Sequence, residues 1–364
     1  MSFIKESRAW TMRPVQHFVI GLALTLCASR AALAQSHDAM DAAQQRTVIR
    51  GFTDVDYLTG GNSTGRRSAF SLGQFDLYIA SKISDRLSFL SETVFEYDDE
   101  ESTFGVDVER VIAQYALTDH LRIDAGKVHT PLGYWSNAYH HGLVMQPTIA
   151  RPQPVQFEEE RGPLPIHTVG LELSGRDLTQ AHLGFDVLLG NSLGNRPTAD
   201  KRNDASSVTL ALHSQITSSL RIGVSGYRDR LQTGSATPSG DTLRAAMTQT
   251  IGGAFLAYFS DRAEAVLEGY QVTNQSAGRS TNSPNWFAYA GVRLADRYVP
   301  YVLHEDNRLA EGDPYFTSDR FRREILGVRF EQSASAALKL EGRTLDRPAA
   351  KRAYELALQL ALAF

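Results

Sequence analysis

The sequence predicts an all-β fold: a sixteen-stranded antiparallel transmembrane β-barrel with short turns at one end, long loops at the other and a long third loop folding inward. Three observations carry this expectation. The last eleven residues alternate strictly, with Tyr354, Leu356, Leu358, Leu360, Leu362 and Phe364 on one parity and Glu355, Ala357, Gln359, Ala361 and Ala363 on the other. A short Ser/Thr/Asp turn flanked by apolar strand ends recurs along the chain. Nowhere does the chain approach the ~18 consecutive apolar residues of a membrane-spanning helix. A mean hydropathy of −0.26 is compatible with a barrel, because only alternate residues face lipid.

The terminal stretch has a helical rival, since Ala, Leu, Glu and Gln are good helix formers. At about 100° per residue, however, the four leucines would scatter around the cylinder, whereas on a strand they form one face. The length suits a tilted spanning strand of about 9–11 residues. A terminal aromatic here resembles the C-terminal assembly signal of Gram-negative outer-membrane β-barrels, and the resemblance implies that Phe364 is presented to the barrel-assembly machinery.

At the other end, Arg13 and His17 precede the apolar run Phe18 to Cys27, and Ala32-Leu33-Ala34 supplies small residues at a cleavage site. Residues 1–34 therefore read as a secretory signal peptide and 35–364 as the barrel, with export to the Gram-negative outer membrane. Met12 offers a second start that would shorten the long n-region. Cys27, the one cysteine, would anchor a lipoprotein only if a small residue preceded it, and Leu26 does. The mature chain then has 330 of the 364 residues and no thiol chemistry. Removing Lys5, Arg8, Arg13, Arg30 and Glu6 takes 37 basic and 41 acidic residues to 33 and 40, a net charge of −7.

Gln35 to Arg46 is polar and aperiodic. Strands are expected to begin near Thr47, Phe70, Leu87, Gly105, Leu121, His167, Ala181, Ser207, Leu220, Gln249, Ala263, Asn285, Tyr298, Phe321, Ala336 and Arg352. Short turns are expected at Ser84-Asp85-Arg86, Thr118-Asp119-His120, Thr217-Ser218-Ser219, Ser260-Asp261-Arg262 and Ala295-Asp296-Arg297, with looser ones at Gly175-Arg176-Asp177 and Gln332 to Ser335. Between them lie long polar excursions at Gly60 to Arg67, Asn191 to Ser206, Gln232 to Arg244, Asn274 to Pro284 and Asn307 to Asp319. An even strand count puts both ends on the short-turn side, and closure spares every strand an unpaired edge in lipid.

One connection, about 128–166, is far longer and holds six of the thirteen prolines: Pro131, Pro147, Pro152, Pro154, Pro163 and Pro165. A loop of that length in a compact fold is usually functional. Its start, Gly126-Lys127-Val128-His129-Thr130-Pro131-Leu132-Gly133, resembles the G-x-[FV]-x-T-P-[FL]-G stretch of the phosphate-selective porin O/P family. Val108-Glu109-Arg110-Val111 and Gln114-Tyr115 also suit that family, and the close match covers Asp107 to Gly133. The resemblance implies a trimeric, passive outer-membrane channel for small hydrophilic solutes or ions, narrowed by the third loop. It implies phosphate selectivity only where a basic ladder and a lysine-rich constriction exist. This chain is acidic, and Lys127 is its one lysine between Lys82 and Lys201.

Pore-constriction candidates are Lys127, His129, Tyr134, Trp135, His140, His141, Arg151, Glu158, Glu159, Glu160 and Arg161. Parity nominates Asp76, Glu92, Glu96, Arg110, Arg122, Asp124, Arg221, Glu264, Glu268, Lys339, Glu341 and Arg343 for the lumen wall. Opposed charged walls would set a transverse field, while the acidic balance favours weak cation preference. His129, His140, His141 and His167 are weak metal candidates beside the glutamates, without a helix motif to hold an ion. The alternative function is a barrel enzyme or surface adhesin acting through the long loops. The sequence offers it no Gly-x-Ser-x-Gly nucleophile, no glycine-rich phosphate loop and no cofactor motif. Basic residues are dispersed, which argues against nucleic acid.

Overall fold

A computed structural model describes residues 47–60, 68–98, 103–139, 142, 144–157, 162–192, 206–348 and 350–364. The signal peptide and the polar leader lie outside the described residues, as do most of 60–67 and 191–206. His140, His141, Glu158, Glu159, Glu160, Arg161 and the side chain of Glu96 lie outside them too. The strands are β1 (Thr47–Gly60), β2 (Ala69–Lys82), β3 (Leu87–Asp98), β4 (Thr103–Ala116), β5 (Leu121–His129), β6 (His167–Gly175), β7 (Leu183–Asn191) and β8 (Ser206–Gln215). They continue with β9 (Leu220–Leu231), β10 (Met247–Phe259), β11 (Ala263–Ser276), β12 (Arg279–Val292), β13 (Tyr298–Arg308), β14 (Arg320–Ser333), β15 (Ala336–Asp346) and β16 (Ala353–Ala363). Each pairs antiparallel with its sequence neighbours, and β1 pairs with β16, so the sixteen close into a barrel.

The short turns share a local device. Ser84 Oγ accepts the Leu87 N–H at 3.1 Å, Thr118 Oγ1 that of Leu121 at 3.0 Å, Thr217 Oγ1 that of Leu220 at 3.1 Å and Ser260 Oγ that of Ala263 at 3.1 Å. A hydroxyl in this position satisfies the N–H that a reversing backbone would otherwise leave open. The β12–β13 turn solves the same problem with left-handed residues, Ala295 at φ 48° and Asp296 at φ 61°.

The alternation expected of β16 is present. Leu356, Leu358, Leu360 and Leu362 are 36–47 % exposed on the outer face, whereas Ala357, Gln359 and Ala361 are at most 3 % exposed on the inner one. Pairing with β1 and β15 along the strand removes the helical rival. Closure ends on Phe364, whose N–H and C=O both bond Gly51 at 2.9 Å. Its ring stacks on Phe75 at 6.0 Å and fills the space over Gly51, where an added Cβ would meet the ring at 2.2 Å.

One element differs from expectation. Asn274 to Pro284 is not a long loop: β11 runs to Ser276 and β12 starts at Arg279, joined by Ala277 (φ 50°) and Gly278 (φ 75°). Two left-handed residues make the hairpin turn that matches strand twist. Pro284 is tolerated because β12 pairs with β13 only from Trp286 onward, so that edge needs no N–H from it.

Deleting Phe364 removes two backbone hydrogen bonds, each worth about 0.5–1.5 kcal/mol net, and the Phe75 contact. The folded, heat-modifiable fraction in cell envelopes should fall severalfold, while protein refolded in vitro keeps its conductance. An undiminished folded fraction would show that the terminal residue is not read in assembly.

Candidate functional site

The third long loop leaves the wall where β5 ends. Inside β5, three residues earlier, Gly126 sits at φ 139°, and a Cβ there would lie 1.9 Å from the Val111 carbonyl oxygen, so the close approach of β4 needs glycine. Thr130 donates its N–H to Ile166 O at 2.9 Å, and its hydroxyl meets that of Thr168 at 2.8 Å, which together close the loop's base. Gly133 is again left-handed (φ 74°), and its missing side chain makes room for the Tyr270 hydroxyl and the Glu268 carboxylate.

From that base the loop folds against the inner faces of β9 to β14. Leu132, Trp135, Val155, Leu164 and Ile166 share one apolar cluster with Tyr227, Ile251, Val266, Tyr270, Phe287, Tyr289, Tyr301 and Leu303. Trp135 is fully buried, edge-on to Phe287 at 5.4 Å and to Tyr139 at 5.0 Å. Burying one such side chain is worth roughly 1.5–3 kcal/mol. Tyr134 packs on Phe255 at 5.7 Å, Phe259 at 5.8 Å and Tyr139 at 6.0 Å. Burial raises the phenol pKa of both loop tyrosines above the ordinary value and keeps them neutral.

An irregular segment with so little regular structure must place its backbone polar groups somewhere. Three fully buried wall carboxylates take N–H groups. Glu268 on β11 accepts from Tyr134 at 3.0 Å and Trp135 at 2.5 Å. Glu305 on β13 accepts from Gln153 at 2.9 Å, and Glu341 on β15 from Ile149 at 2.6 Å and Ala150 at 3.3 Å. Three wall cations take carbonyls: Arg323 donates to Arg151 O at 2.7 Å, Arg329 to Pro147 O at 3.0 Å and Lys339 to Thr148 O at 3.3 Å. The charges balance locally, with Arg323–Glu305 at 2.8 Å, Arg343–Glu341 at 2.7 Å and Arg329–Glu264 at 2.8 Å.

Several sequence candidates are thus spent on seating the loop: Glu264, Glu268, Lys339, Glu341 and Arg343 from the wall, and Trp135 from the loop. Arg151 is turned inward on the loop itself, donating to Tyr139 O at 2.7 Å and lying 4.5 Å over the Phe157 ring. Sequence reasoning missed Glu305, Arg323 and Arg329, although all three sit on the inward parity of β13 and β14. Lys127 is not brought to the loop. It pairs with Val111 on the outward parity, and its Nζ donates to Val108 O at 2.8 Å, with Asp107 at 3.7 Å and Glu109 at 4.0 Å. His129 and His167 are ring neighbours at 5.7 Å, with His167 Nε2 at 2.9 Å from Glu109. Among the described residues no three His, Cys, Asp or Glu side chains form a metal-holding group.

What the loop leaves open is a cavity of about 490 Å³ against the β4–β9 wall. Pro131, Gly133, Tyr134, Asn137 and Ala138 form its loop side. Its wall carries Arg110, Arg122, Arg176 and Arg221 with His182 and His213, against Asp124, Glu172, Asp177 and Asp186. Opposite charges sit beside each other on that wall, Arg122–Asp124 at 2.8 Å and Arg176–Asp186 at 2.7 Å, while Arg110 bonds Glu92 and Arg221 bonds Gln215. Asp76 is buried on the inward face of β2, paired across β1 with Phe52.

No protein-family model matches the chain, and no curated protein resembles it at a significant level. Solved structures do. It is similar to an anion-selective porin from Comamonas acidovorans (TM-score 0.64, 11 % identity, 88 % of this chain and 100 % of that one). It is also similar to OmpF of Salmonella typhi in complex with daunomycin (0.62, 11 %, 88 % and 98 %) and to the trimer form of OmpT, an outer membrane protein of Vibrio cholerae (0.61, 11 %, 88 % and 100 %). At such identity the likeness is one of fold, the closed barrel of outer-membrane porins.

Glu268→Ala should strand two loop N–H groups and cost about 2–4 kcal/mol, whereas Glu268→Gln keeps an acceptor and should cost about 1–2 kcal/mol. Urea unfolding in lipid vesicles, read with Trp135 emission in a Trp286→Phe background, measures both. An alanine variant with the wild-type midpoint and emission would show that this carboxylate does not seat the loop.

Proposed function

We propose that the chain is an outer-membrane porin, a passive aqueous channel for small hydrophilic solutes or ions, narrowed by the third loop. The observation that carries this reading is the division of the lumen. The described residues of the third loop pack along β9 to β15 and leave a charged cavity of about 490 Å³ along β4 to β9. A gap lined with arginines, carboxylates and a loop tyrosine suits hydrated solutes better than apolar ones. The trimer form of the Vibrio cholerae protein supports a homotrimer. Export by the signal peptide, cleavage near Ala34 and delivery by the barrel-assembly machinery complete the reading.

Membership of the phosphate-selective porin O/P family is the finer form of the proposal, supported by the stretch Gly126 to Gly133. Both of its glycines stand where a side chain would collide, with Val111 O at 1.9 Å and with the Tyr270 hydroxyl at 1.8 Å. Phosphate selectivity is not part of the proposal, because Lys127 spends its amine on Val108 O and supplies no constriction charge.

Planar-bilayer recording tests the function. Stepwise conductance in threes is expected, and a bilayer left sealed by folded protein would overturn the reading. The passage carries four arginines against four carboxylates, so the reversal potential in a salt gradient should lie close to zero. Arg221→Glu should move it toward cation preference; an unmoved potential would place the ion path elsewhere.

A further inference from the structure

Toward the long-loop end of β9 and β10 the lumen wall holds a second, smaller cavity of about 160 Å³, which shares no residue with the passage beside β4 to β9. Its floor is the inward parity of the two strands, where Gln249 of β10 lies directly opposite Asp229 of β9. Three loops supply the other walls, through Pro165 of the third loop, Pro238 of 232–244, and Tyr315 with Phe316 of 309–319. Each wall is anchored. Asp313 accepts the N–H groups of Tyr315 at 2.8 Å and Phe316 at 2.9 Å, and their rings stand edge-on at 5.0 Å. Pro238 sits in a closed turn, with the Thr237 N–H on Asp241 O at 2.9 Å and the Gly240 N–H on Thr237 O at 3.0 Å. Leu231, Leu243 and Met247 pack together against Tyr315 beneath both loops.

One group in this cavity is left over. Gln249 is 5 % exposed, and its Nε2 meets no acceptor among the described residues. Its neighbour on β11, Asn274, turns its own amide N–H to Asp313 at 3.0 Å while its Oδ1 meets no donor, so the two amides do not satisfy one another. A buried donor without an acceptor is costly, and this one lines the cavity. The rest of the lining selects what would meet it. Among the described residues it contains a carboxylate and no Lys, Arg or His, so an anion would be repelled without a cation to hold it. Asp229 accepts the Ser192 hydroxyl at 2.5 Å and the Tyr227 hydroxyl at 3.1 Å, and a carboxylate has about four acceptor sites. A hydroxyl group suits the pair, accepting from Gln249 and donating to Asp229. Tyr315, Phe316, Pro165 and Pro238 add apolar faces. The volume is room for one six-membered ring, since a cavity of about 150 Å³ holds benzene.

We infer that this cavity binds one ring of a neutral sugar, with a hydroxyl between Gln249 Nε2 and the Asp229 carboxylate and its C–H face on Tyr315 and Phe316. Water alone would satisfy Gln249 and leave the apolar faces uncovered. A phenol would cover those faces with a single hydroxyl for both polar groups. The inference goes beyond the channel reading and stands without it, because the cavity lies apart from the passage and binding needs no conduction.

Saturation-transfer NMR on the full chain, folded in a sugar-free detergent, tests it with methyl glucoside, methyl galactoside and methyl mannoside as probes and with glucuronate and phenol as comparisons. At least one of the three neutral sugars should bind with a millimolar Kd, and glucuronate and phenol about tenfold or more weakly. Gln249→Leu should weaken that sugar about tenfold or more without lowering the urea midpoint, since the amide it removes has no partner to lose. Arg352→Gln, at the exposed rim, should leave binding unchanged. Binding by none of the three sugars, wild-type binding by the leucine variant, or equal binding of glucuronate or phenol would each overturn the inference. A disaccharide ending in the same ring separates the sources: equal affinity assigns the site to the end of a glycan, and loss of binding to a free monosaccharide. Bilayer recording keeps the two readings apart. A sealed bilayer sinks the channel and leaves the sugar site standing, whereas a current blocked by the bound sugar would put the ring in the passage and overturn the site placed here.

Discussion

The structure depends on the matching of a buried irregular backbone by charged side chains of the wall. The described residues between 130 and 166 fill part of the lumen with one helical turn at Trp135–Ala138 and a 3₁₀ turn at Gln153–Val155 as their regular structure. Their N–H groups meet Glu268, Glu305 and Glu341, and their carbonyls meet Arg323, Arg329 and Lys339. Lys339 and Glu341 stand two apart on β15, so one inward face supplies both signs. A one-residue slip of that strand would turn both charges toward lipid and leave the loop unmatched. Strand register and loop position are therefore one constraint.

Register in turn is fixed at the seam and at the turns. The β1–β16 pairing runs from Phe52 opposite Ala363 to Gly60 opposite Glu355, and Phe364 closes it on Gly51. A bulge in β2 sets Gly73 and Gln74 opposite Asp54 of β1, whose carboxylate takes the Gln74 N–H at 3.0 Å and occupies the space over Gly73. The bulge thus carries its own cap and does not open the ladder. With every strand paired on both sides, the barrel has no edge to cover in lipid.

What was legible in the sequence was what is local. Turn hydroxyls act over three residues and parity over two, so Ser84, Thr118, Thr217 and Ser260 announced hairpins and the leucines of β16 announced a face. β12 was misread because Asn, Ser, Thr and Pro look like a loop, and the signal that mattered was the pair Ala277-Gly278. The loop's seating was illegible because Trp135 meets Glu268 across 133 residues and Arg151 meets Arg323 across 172. Lys127 shows the opposite failure. It lies three residues from inward-facing Asp124 and so on the other parity, but the family-like stretch around it suggested the pore.

The same seating determines which side chains line the cavity beside the loop. Sequence reasoning allowed opposed charged walls and a transverse field, but the described passage has its charges paired along one wall. Arg122 sits at 2.8 Å from Asp124 and Arg176 at 2.7 Å from Asp186, facing a loop side made of Pro131, Gly133, Tyr134, Asn137 and Ala138. Adjacent opposite charges cancel beyond a few ångströms, well inside the ~8 Å over which physiological salt screens what remains. Under the proposed channel reading, an ion in this gap would meet local hydrogen-bond partners and no sustained field. On the same reading, size, set by how far Trp135 and Tyr134 carry the loop across the lumen, would be the stronger filter, and it traces back to the carboxylate of Glu268 that holds both of their N–H groups.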